Sequence, residues 1–123
     1  IEATNRYESA VANTLDDTVE LISPFAANPF LRMLPDTFHM NIEESDPFAA
    51  LEKHRSLYDS IHISDNNRCF PGFGAVRFDE YFRFLKRIGY GGGLAIEGNI
   101  ERDLLSDIRA SAEFLRPLLS GRE

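Results

Sequence analysis

The stretch FLRMLPD, residues 30–36, is a short, mostly apolar run that ends in an aspartate. Short apolar runs of this kind, bounded by prolines or polar loops, are typical of buried strands. The arrangement recurs, with a polar residue at or near each end, in IEAT (1–4), SIHIS (60–64) and GGLAIE (92–97). The sequence therefore predicts four short strands, at 1–4, 30–34, 60–64 and 93–97.

Amphipathic segments separate these runs. Leu15, Val19 and Ile22 share one helical face and predict a helix over 13–22, which Pro24 and Pro29 end. Asp46 and Pro47 are an N-cap followed by proline at the first helical position. The remaining predicted helices are 78–88, which ends at Gly89, and a terminal helix through Leu104, Leu105, Ile108 and Phe114.

Strands that alternate with helices pair in parallel, either in an open doubly wound sheet or in a barrel. The polar residues at the strand ends are Glu2, Asp36, His62 and Glu97, spaced by 34, 26 and 35 residues. A barrel places chemistry at every strand end, and its βα units average about 31 residues, whereas an open sheet concentrates ligands at one point. We therefore predict an α/β fold, with residues 1–123 forming one half of a (β/α)8 TIM barrel. Because a strand begins at Ile1, we expect an upstream part to have been removed or left out.

Composition limits the partners. The chain has 123 residues, 13.9 kDa and a net charge of −7, which argues against nucleic acid and anionic membranes as partners. Its one cysteine, Cys69, cannot form an internal disulfide, and no apolar run is long enough to cross a membrane. We expect a cytoplasmic location.

Three carboxylates and one imidazole at the mouth of parallel strands would suit a divalent cation. Manganese or magnesium fits oxygen-rich ligands, and cobalt or zinc also accepts this set. A structural interpretation stays open at this point, because acids after strands often cap helices and His62 could be an ordinary buried histidine.

Four motifs, IEATNRYE (1–8), DTFHMNIEE (36–44), HISDNNRCFPGFG (62–74) and LKRIGYGGGLAIE (85–97), resemble the C-terminal half of the xylose-isomerase-like sugar isomerases and epimerases. The similarity is greatest to ketose 3-epimerases of the D-tagatose 3-epimerase type. The resemblance implies a TIM barrel whose last four strands hold one divalent metal, most often manganese, through Glu2, Asp36, His62 and Glu97.

The resemblance also implies the chemistry. Glu2 and Glu97 would remove and return the C3 proton of a ketose through an enediolate, so that C3 inverts. Glu8, His39 and Arg68 would contact the sugar oxygens, although Arg68 is also compatible with a surface ion pair. EGNI (97–100) departs from the usual Glu-Pro-aromatic of the family, which leaves the substrate open.

Three further side chains have simpler interpretations. We expect His54 to be solvated on a charged helix face, and Glu43 and Glu44 to lie at a solvated loop edge. None of the three is predicted to take part in the site.

The same superfamily contains other enzymes with the same metal ligands, namely aldose-ketose isomerases, hydroxypyruvate isomerase and inosose dehydratases. It also contains a multi-zinc DNA-repair endonuclease, which would need more metal ligands and a basic cleft. A different class is a catalytically incomplete half-barrel with a structural or assembly role, because its open sheet edges would need a missing N-terminal half or a second copy to cover them.

Overall fold

A computed structural model describes residues 1–120. Its elements follow in the order α1 Leu15–Ile22, α2 Thr37–Glu43, α3 Pro47–Lys53, β1 Ser60–Ile63, α4 Phe78–Arg87, β2 Gly93–Ile96 and α5 Leu104–Ser120, with 3₁₀ turns at Ser23–Phe25 and Arg55–Leu57. The last three residues of the predicted 1–123 unit, 121–123, lie outside the described residues. Within 1–120, no helix combines the length and apolar character needed to cross a membrane.

The strands run parallel and side by side in chain order. β1 and β2 pair with Ser60 opposite Gly93 and Ile63 opposite Ile96. The first two predicted strands are reduced to isolated parallel bridges, one joining Glu2 to Leu34 and others joining the second segment to the β1 segment. Four parallel βα units in this order form the predicted half of a TIM barrel.

The second predicted strand is shorter than expected. The bridges involve only Met33, Leu34 and Asp36 of this segment, and Phe30 is 91% exposed in a turn. The turn forms because the side chain of Asn28 accepts a hydrogen bond from the Phe30 N–H at 3.0 Å. Asn-Pro favours such turns, so the prediction of a strand starting at Phe30 was wrong.

Capping side chains decide where the helices begin. α1 starts at Leu15, two residues later than predicted, because Thr14 and Asp17 form a capping box. α3 starts at Pro47, as predicted, after the Asp46 cap. α2 was not predicted, since its seven residues are too few for a clear hydrophobic period, and Asp36 caps it.

The core lies between the strands and one layer of helices. Ile61 and Ile63 of β1 point toward the helices and are buried. Phe78 and Leu85 of α4 are buried in the same core. Successive strand residues point to opposite faces, so His62 points to the other face. That second face, the inner side of the barrel, carries the candidate site.

The apolar residues that predicted α5 are not its buried side. Leu104, Leu105, Ile108 and Phe114 are all at least 38% exposed, whereas Asp107, Ser111 and Leu115 are buried. Asp107 accepts hydrogen bonds from the backbone N–H groups of Glu101 and Arg102. Polar contacts therefore help to set the orientation of this helix, and its exposed apolar residues form a strip that adjoins the buried side.

Two predictions of solvated side chains were wrong. His54 is 8% exposed, and its Nε2 lies 2.5 Å from Asp16. The Glu43 side chain is 4% exposed and pairs with Arg6, while Glu44 accepts from the Leu15 N–H at 2.8 Å. Tertiary contacts between distant segments place these groups, and local sequence does not reveal them.

Candidate metal centre

The four residues predicted as metal ligands converge on the inner face. His62 is opposite Ala95 in the β1–β2 register, so Glu97, two residues further, points to the same face. Bridges pair Asp36 with His62 and Glu2 with Leu34, which is two residues before Asp36. Alternation along adjacent strands therefore places all four side chains together.

One ligand atom from each of Glu2, Asp36, His62 and Glu97 lies within 4.8 Å of the others. His62 Nδ1 is at the centre, 2.9 Å from Glu97 Oε2, 3.1 Å from Glu2 Oε1 and 3.9 Å from Asp36 Oδ2. Carboxylate oxygens and an imidazole nitrogen at this separation are donors suited to one divalent cation.

The two oxygens of Asp36 have different surroundings, which match the two interpretations that the sequence left open, a helix cap and a candidate metal ligand. Its Oδ1 caps α2 by accepting from the N–H groups of Phe38 at 2.8 Å and His39 at 3.4 Å. Its Oδ2 faces the cluster and accepts from Arg68 at 2.6 Å. The side chain is fully buried, so capping fixes one oxygen and leaves the other directed into the site.

Arg68 is part of the cluster and not a surface ion pair. Its guanidinium bridges Asp36 Oδ2 and Glu97 Oε2 at 2.6 and 2.8 Å, and lies 4.9 Å from the centre of the Phe38 ring. Its φ of +63° is unusual for a residue other than glycine. Three carboxylates with Arg68 sum to −2, so one dication would bring the group to neutrality.

The loop that carries Arg68 is held at both ends. Buried Asp65 accepts from the backbone N–H groups of Gly72 at 2.9 Å and Val76 at 2.8 Å. The Arg68 carbonyl accepts from the Asn99 N–H at 2.6 Å. A Cβ on Gly98 would lie 2.8 Å from that carbonyl oxygen, so the glycine allows the segment after Glu97 to approach Arg68.

The pKa values of the two glutamates are shifted in opposite directions. Burial, with the negative charges of Glu97 and Asp36, raises the pKa of Glu2. For Glu97, burial also acts upward, but His62 and Arg68 outweigh it and lower the pKa. The carboxylates therefore repel each other on the Glu2 side and are compensated on the Glu97 side.

The predicted sugar contacts Glu8 and His39 lie together beside the cluster. His39 is 1% exposed, and burial lowers the pKa of its ring. Its Nδ1 lies 2.9 Å from the side-chain amide of Asn5, which also donates to Glu8 Oε1 at 2.9 Å. Asn5 thus connects two candidate contacts that are 31 residues apart in the chain.

Sequence reasoning missed Asn5, Ser64 and Phe38. Ser64 Oγ lies 3.0 Å from Arg68 Nη1, and Phe38 supports the same guanidinium. Asn5 and Phe38 are in motifs that were recognised, but nothing in their local patterns indicates these contacts. Ser64 lies two residues after His62 and therefore points to the same face of the strand, which the sequence could have indicated.

The chain belongs to the xylose isomerase-like TIM barrel family, whose model matches residues 1–118. It is 38% identical to a ketose 3-epimerase of Arthrobacter globiformis over 123 residues, all of this chain and 42% of that protein. It is 35% identical to a 3-dehydro-D-guloside 4-epimerase of Escherichia coli K12 over 117 residues, 94% of this chain and 44% of that protein.

The same relationship is found among solved structures. An L-ribulose 3-epimerase superimposes with a TM-score of 0.87 at 27% identity, covering 98% of this chain and 46% of that one. The chain therefore spans less than half the length of these relatives, which agrees with a half-barrel.

Proposed function

We propose that the protein is a divalent-metal-dependent sugar epimerase that inverts C3 of a ketose. The observation that carries this proposal is the convergence of Glu2, Asp36, His62 and Glu97, with ligand atoms within 4.8 Å, in a chain of this family. The similarity to a ketose 3-epimerase supports the choice of C3.

The donor set fits a resident metal. Glu2, Asp36, His62 and Glu97 would hold it, with manganese preferred and magnesium, cobalt or zinc accepted. When bound, such a cation draws electron density from a ketose carbonyl and so acidifies the neighbouring C–H. Asp36 is well placed to be a metal ligand, because the cap of α2 already holds its Oδ1 and leaves its Oδ2 directed into the site.

Glu2 and Glu97 would exchange the C3 proton. They come from the first and fourth strand positions, with His62 between them. One carboxylate removes the proton to give an enediolate, and the other delivers a proton from the opposite face, so the configuration inverts. Because either carboxylate acts as the base in one direction, the arrangement suits a reversible epimerisation.

Arg68, His39 and Glu8 would hold the sugar oxygens. The Arg68 guanidinium presents fixed donors, and its partners Asp36 and Glu97 keep it over the cluster. His39 and Glu8 would bind oxygens next to the reacting carbons. These contacts orient the ketose so that its C3–H faces a glutamate.

A second candidate is inversion at C4 of a 3-keto sugar. It is favoured by the similarity to the 3-dehydro-D-guloside 4-epimerase. A ketone at C3 acidifies C4–H as a ketone at C2 acidifies C3–H, so the same residues would serve. Aldose-ketose or hydroxypyruvate isomerase and inosose dehydratase are further alternatives, as is a half-barrel with only an assembly role.

The remaining walls of the sugar pocket would come from an N-terminal half-barrel or from a second copy. Two open strand edges and the exposed strip on α5 support this partner. Native mass spectrometry with manganese should show the metal only in an assembly with a complete barrel. A manganese-bound 13.9 kDa monomer would contradict the need for a partner. We propose that the reaction takes place in the cytoplasm.

Deuterium exchange tests the reaction directly. The natural full-length protein, saturated with manganese, is incubated in D₂O with a panel of ketoses and 3-keto glycosides, and NMR locates the label. We expect deuterium at C3 of a ketose. Deuterium at C4 of a 3-keto sugar, exchange between C1 and C2, or loss of water would instead assign the 4-epimerase, the isomerase or the dehydratase.

A pair of variants provides the control. Glu97→Gln should abolish exchange, whereas Glu101→Gln, which changes an exposed acid outside the cluster, should leave it unchanged. If the metal-saturated protein exchanges no label with any sugar of the panel, the epimerase proposal fails.

A further inference from the structure

We propose that Asn5 is a positioning residue that fixes His39 as the tautomer with its hydrogen on Nε2. His39 would then act only as a hydrogen-bond donor toward an oxygen of the substrate. The identification of that substrate as a sugar rests on the proposed function, but the tautomer itself does not.

Two donors of Asn5 converge on one nitrogen of His39. The backbone N–H of Asn5 donates to Nδ1 at 3.2 Å, and the side-chain amide nitrogen lies 2.9 Å from the same atom. Both residues are 1% exposed, so water does not compete for these contacts. A ring nitrogen that accepts from a backbone N–H carries no hydrogen itself.

The orientation of the Asn5 amide is fixed by its other neighbours. Its Oδ1 accepts from the Tyr7 N–H at 3.0 Å, and its amide nitrogen donates to Glu8 Oε1 at 2.9 Å. Reversing the amide would place an N–H₂ group against the Tyr7 N–H and an oxygen against the Glu8 carboxylate. The four contacts therefore agree on one orientation, with the donor toward His39.

The consequence concerns Nε2. With Nδ1 occupied as an acceptor, a neutral His39 ring must carry its hydrogen on Nε2. Within residues 1–120, Nε2 has no hydrogen-bond partner, yet it is not among the fully buried side-chain atoms that lack one. Nε2 therefore keeps slight contact with solvent and is left as a free donor.

This tautomer selects the substrate group. An Nε2–H can pair with the lone pair of a carbonyl or hydroxyl oxygen, whereas the other tautomer would accept a hydroxyl hydrogen. Asn5 also donates to Glu8, whose carboxylate is only an acceptor when it is ionised. One asparagine thus places a donor and an acceptor side by side, an arrangement that matches an α-hydroxy ketone.

The test measures the tautomer and the activity separately. Full-length protein containing ¹⁵N-histidine is loaded with magnesium, which is diamagnetic, and long-range ¹H–¹⁵N NMR is recorded at about pH 8, above the usual histidine pKa. Loss of the His39 signals in His39→Gln assigns them. We expect a hydrogen on Nε2 and none on Nδ1 in the unaltered protein.

Asn5→Asp keeps the oxygen that accepts from Tyr7 but replaces the side-chain donor with a carboxylate oxygen. That oxygen would accept a hydrogen from Nδ1 and so competes with the remaining backbone N–H of Asn5, which donates to Nδ1. We expect the His39 hydrogen to move toward Nδ1 and the rate of deuterium exchange per substrate concentration to fall about tenfold, as for one lost hydrogen bond. The matched control is Asn13→Asp, because Asn13 holds the same loop through Thr4 and Ser9 without touching His39. It should change neither quantity by more than about twofold.

Three outcomes would overturn the proposal. They are a hydrogen on Nδ1 of His39 in the unaltered protein, a tautomer unchanged by Asn5→Asp, and an equal change caused by Asn13→Asp. The first does not depend on Asn5→Asp and so remains decisive if that variant does not fold. Should the protein epimerise no sugar while the tautomer behaves as expected, the proposed function fails and the positioning role of Asn5 stands.

Discussion

β1 and β2 are paired strands of equal length that lie in different environments. Ile63 and Ile96 are register partners, yet Ile63 is 4% exposed and Ile96 is 40% exposed. The candidate ligands show the same difference, because the Asp36 side chain is fully buried and that of Glu97 is 46% exposed. One side of the site is enclosed by residues 1–120, and the other side depends on what covers β2.

The largest expected effect is on the enclosed side. Ile63→Ala should lower the free energy of unfolding by about 3 kcal/mol, since it leaves a cavity in the core, whereas Ile96→Ala should cost about 1 kcal/mol. Denaturant unfolding measures both. Equal losses of stability for the two variants would mean that Ile96 is buried in solution and that another part of the protein or a second copy covers β2.

The ligands should differ in the same direction. Asp36→Ala removes the cap of α2 and an Arg68 partner, so we expect a loss of about 2 kcal/mol in stability. Glu97→Ala should cost less than about 0.5 kcal/mol. Both should abolish manganese binding, measured by calorimetry. A stability loss as large for Glu97→Ala would show that the exposed ligand is also structural.

Gly98 joins the two sides, because it allows Asn99 to bond to the Arg68 carbonyl. Gly98→Ala should cost about 1 kcal/mol and weaken substrate binding, since its Cβ would crowd that oxygen. Gly91→Ala is the control, because a Cβ there meets nothing within 4 Å. Melting temperatures and KM values compare the two. Equal behaviour of both variants would contradict the close approach at Gly98.

The smallest expected effect has the opposite sign. The raised pKa of Glu2 means that the folded, metal-free protein holds this proton more tightly than the unfolded chain does. The contribution of Glu2 to stability is therefore lost as pH rises through the folded-state pKa. Glu2→Gln should stabilise the metal-free protein at pH 7 by about 0.5 kcal/mol and remove its metal binding.

Thermal unfolding with a chelator at pH 4 and pH 7 checks this sign. The gain from Glu2→Gln should appear at the higher pH and shrink at the lower one. A loss of stability at pH 7 would mean that the contact of Glu2 with His62 outweighs its repulsion by the other carboxylates.

The sequence by itself determined the alternation of strands and helices, the parallel order and the four candidate ligands. These features are local or periodic: apolar runs mark the strands, and a polar residue lies at or near the end of each of them. The motifs around Asp36 and His62 also identified the family. The lengths of the strands and the presence of α2 were harder to predict from the sequence. α2 has only seven residues, and its N-cap, Asp36, is equally well interpreted as a metal ligand.

Only the tertiary structure decided how the site is supported. Asn5 reaches His39 across 34 residues, Arg68 bridges Asp36 and Glu97, and His54 is buried against Asp16. The burial of Ile63 and the exposure of Ile96 likewise follow from position in the sheet and not from residue type. Long-range contacts set these properties because burial and hydrogen-bond partners belong to the folded arrangement, and a short stretch of sequence does not contain them.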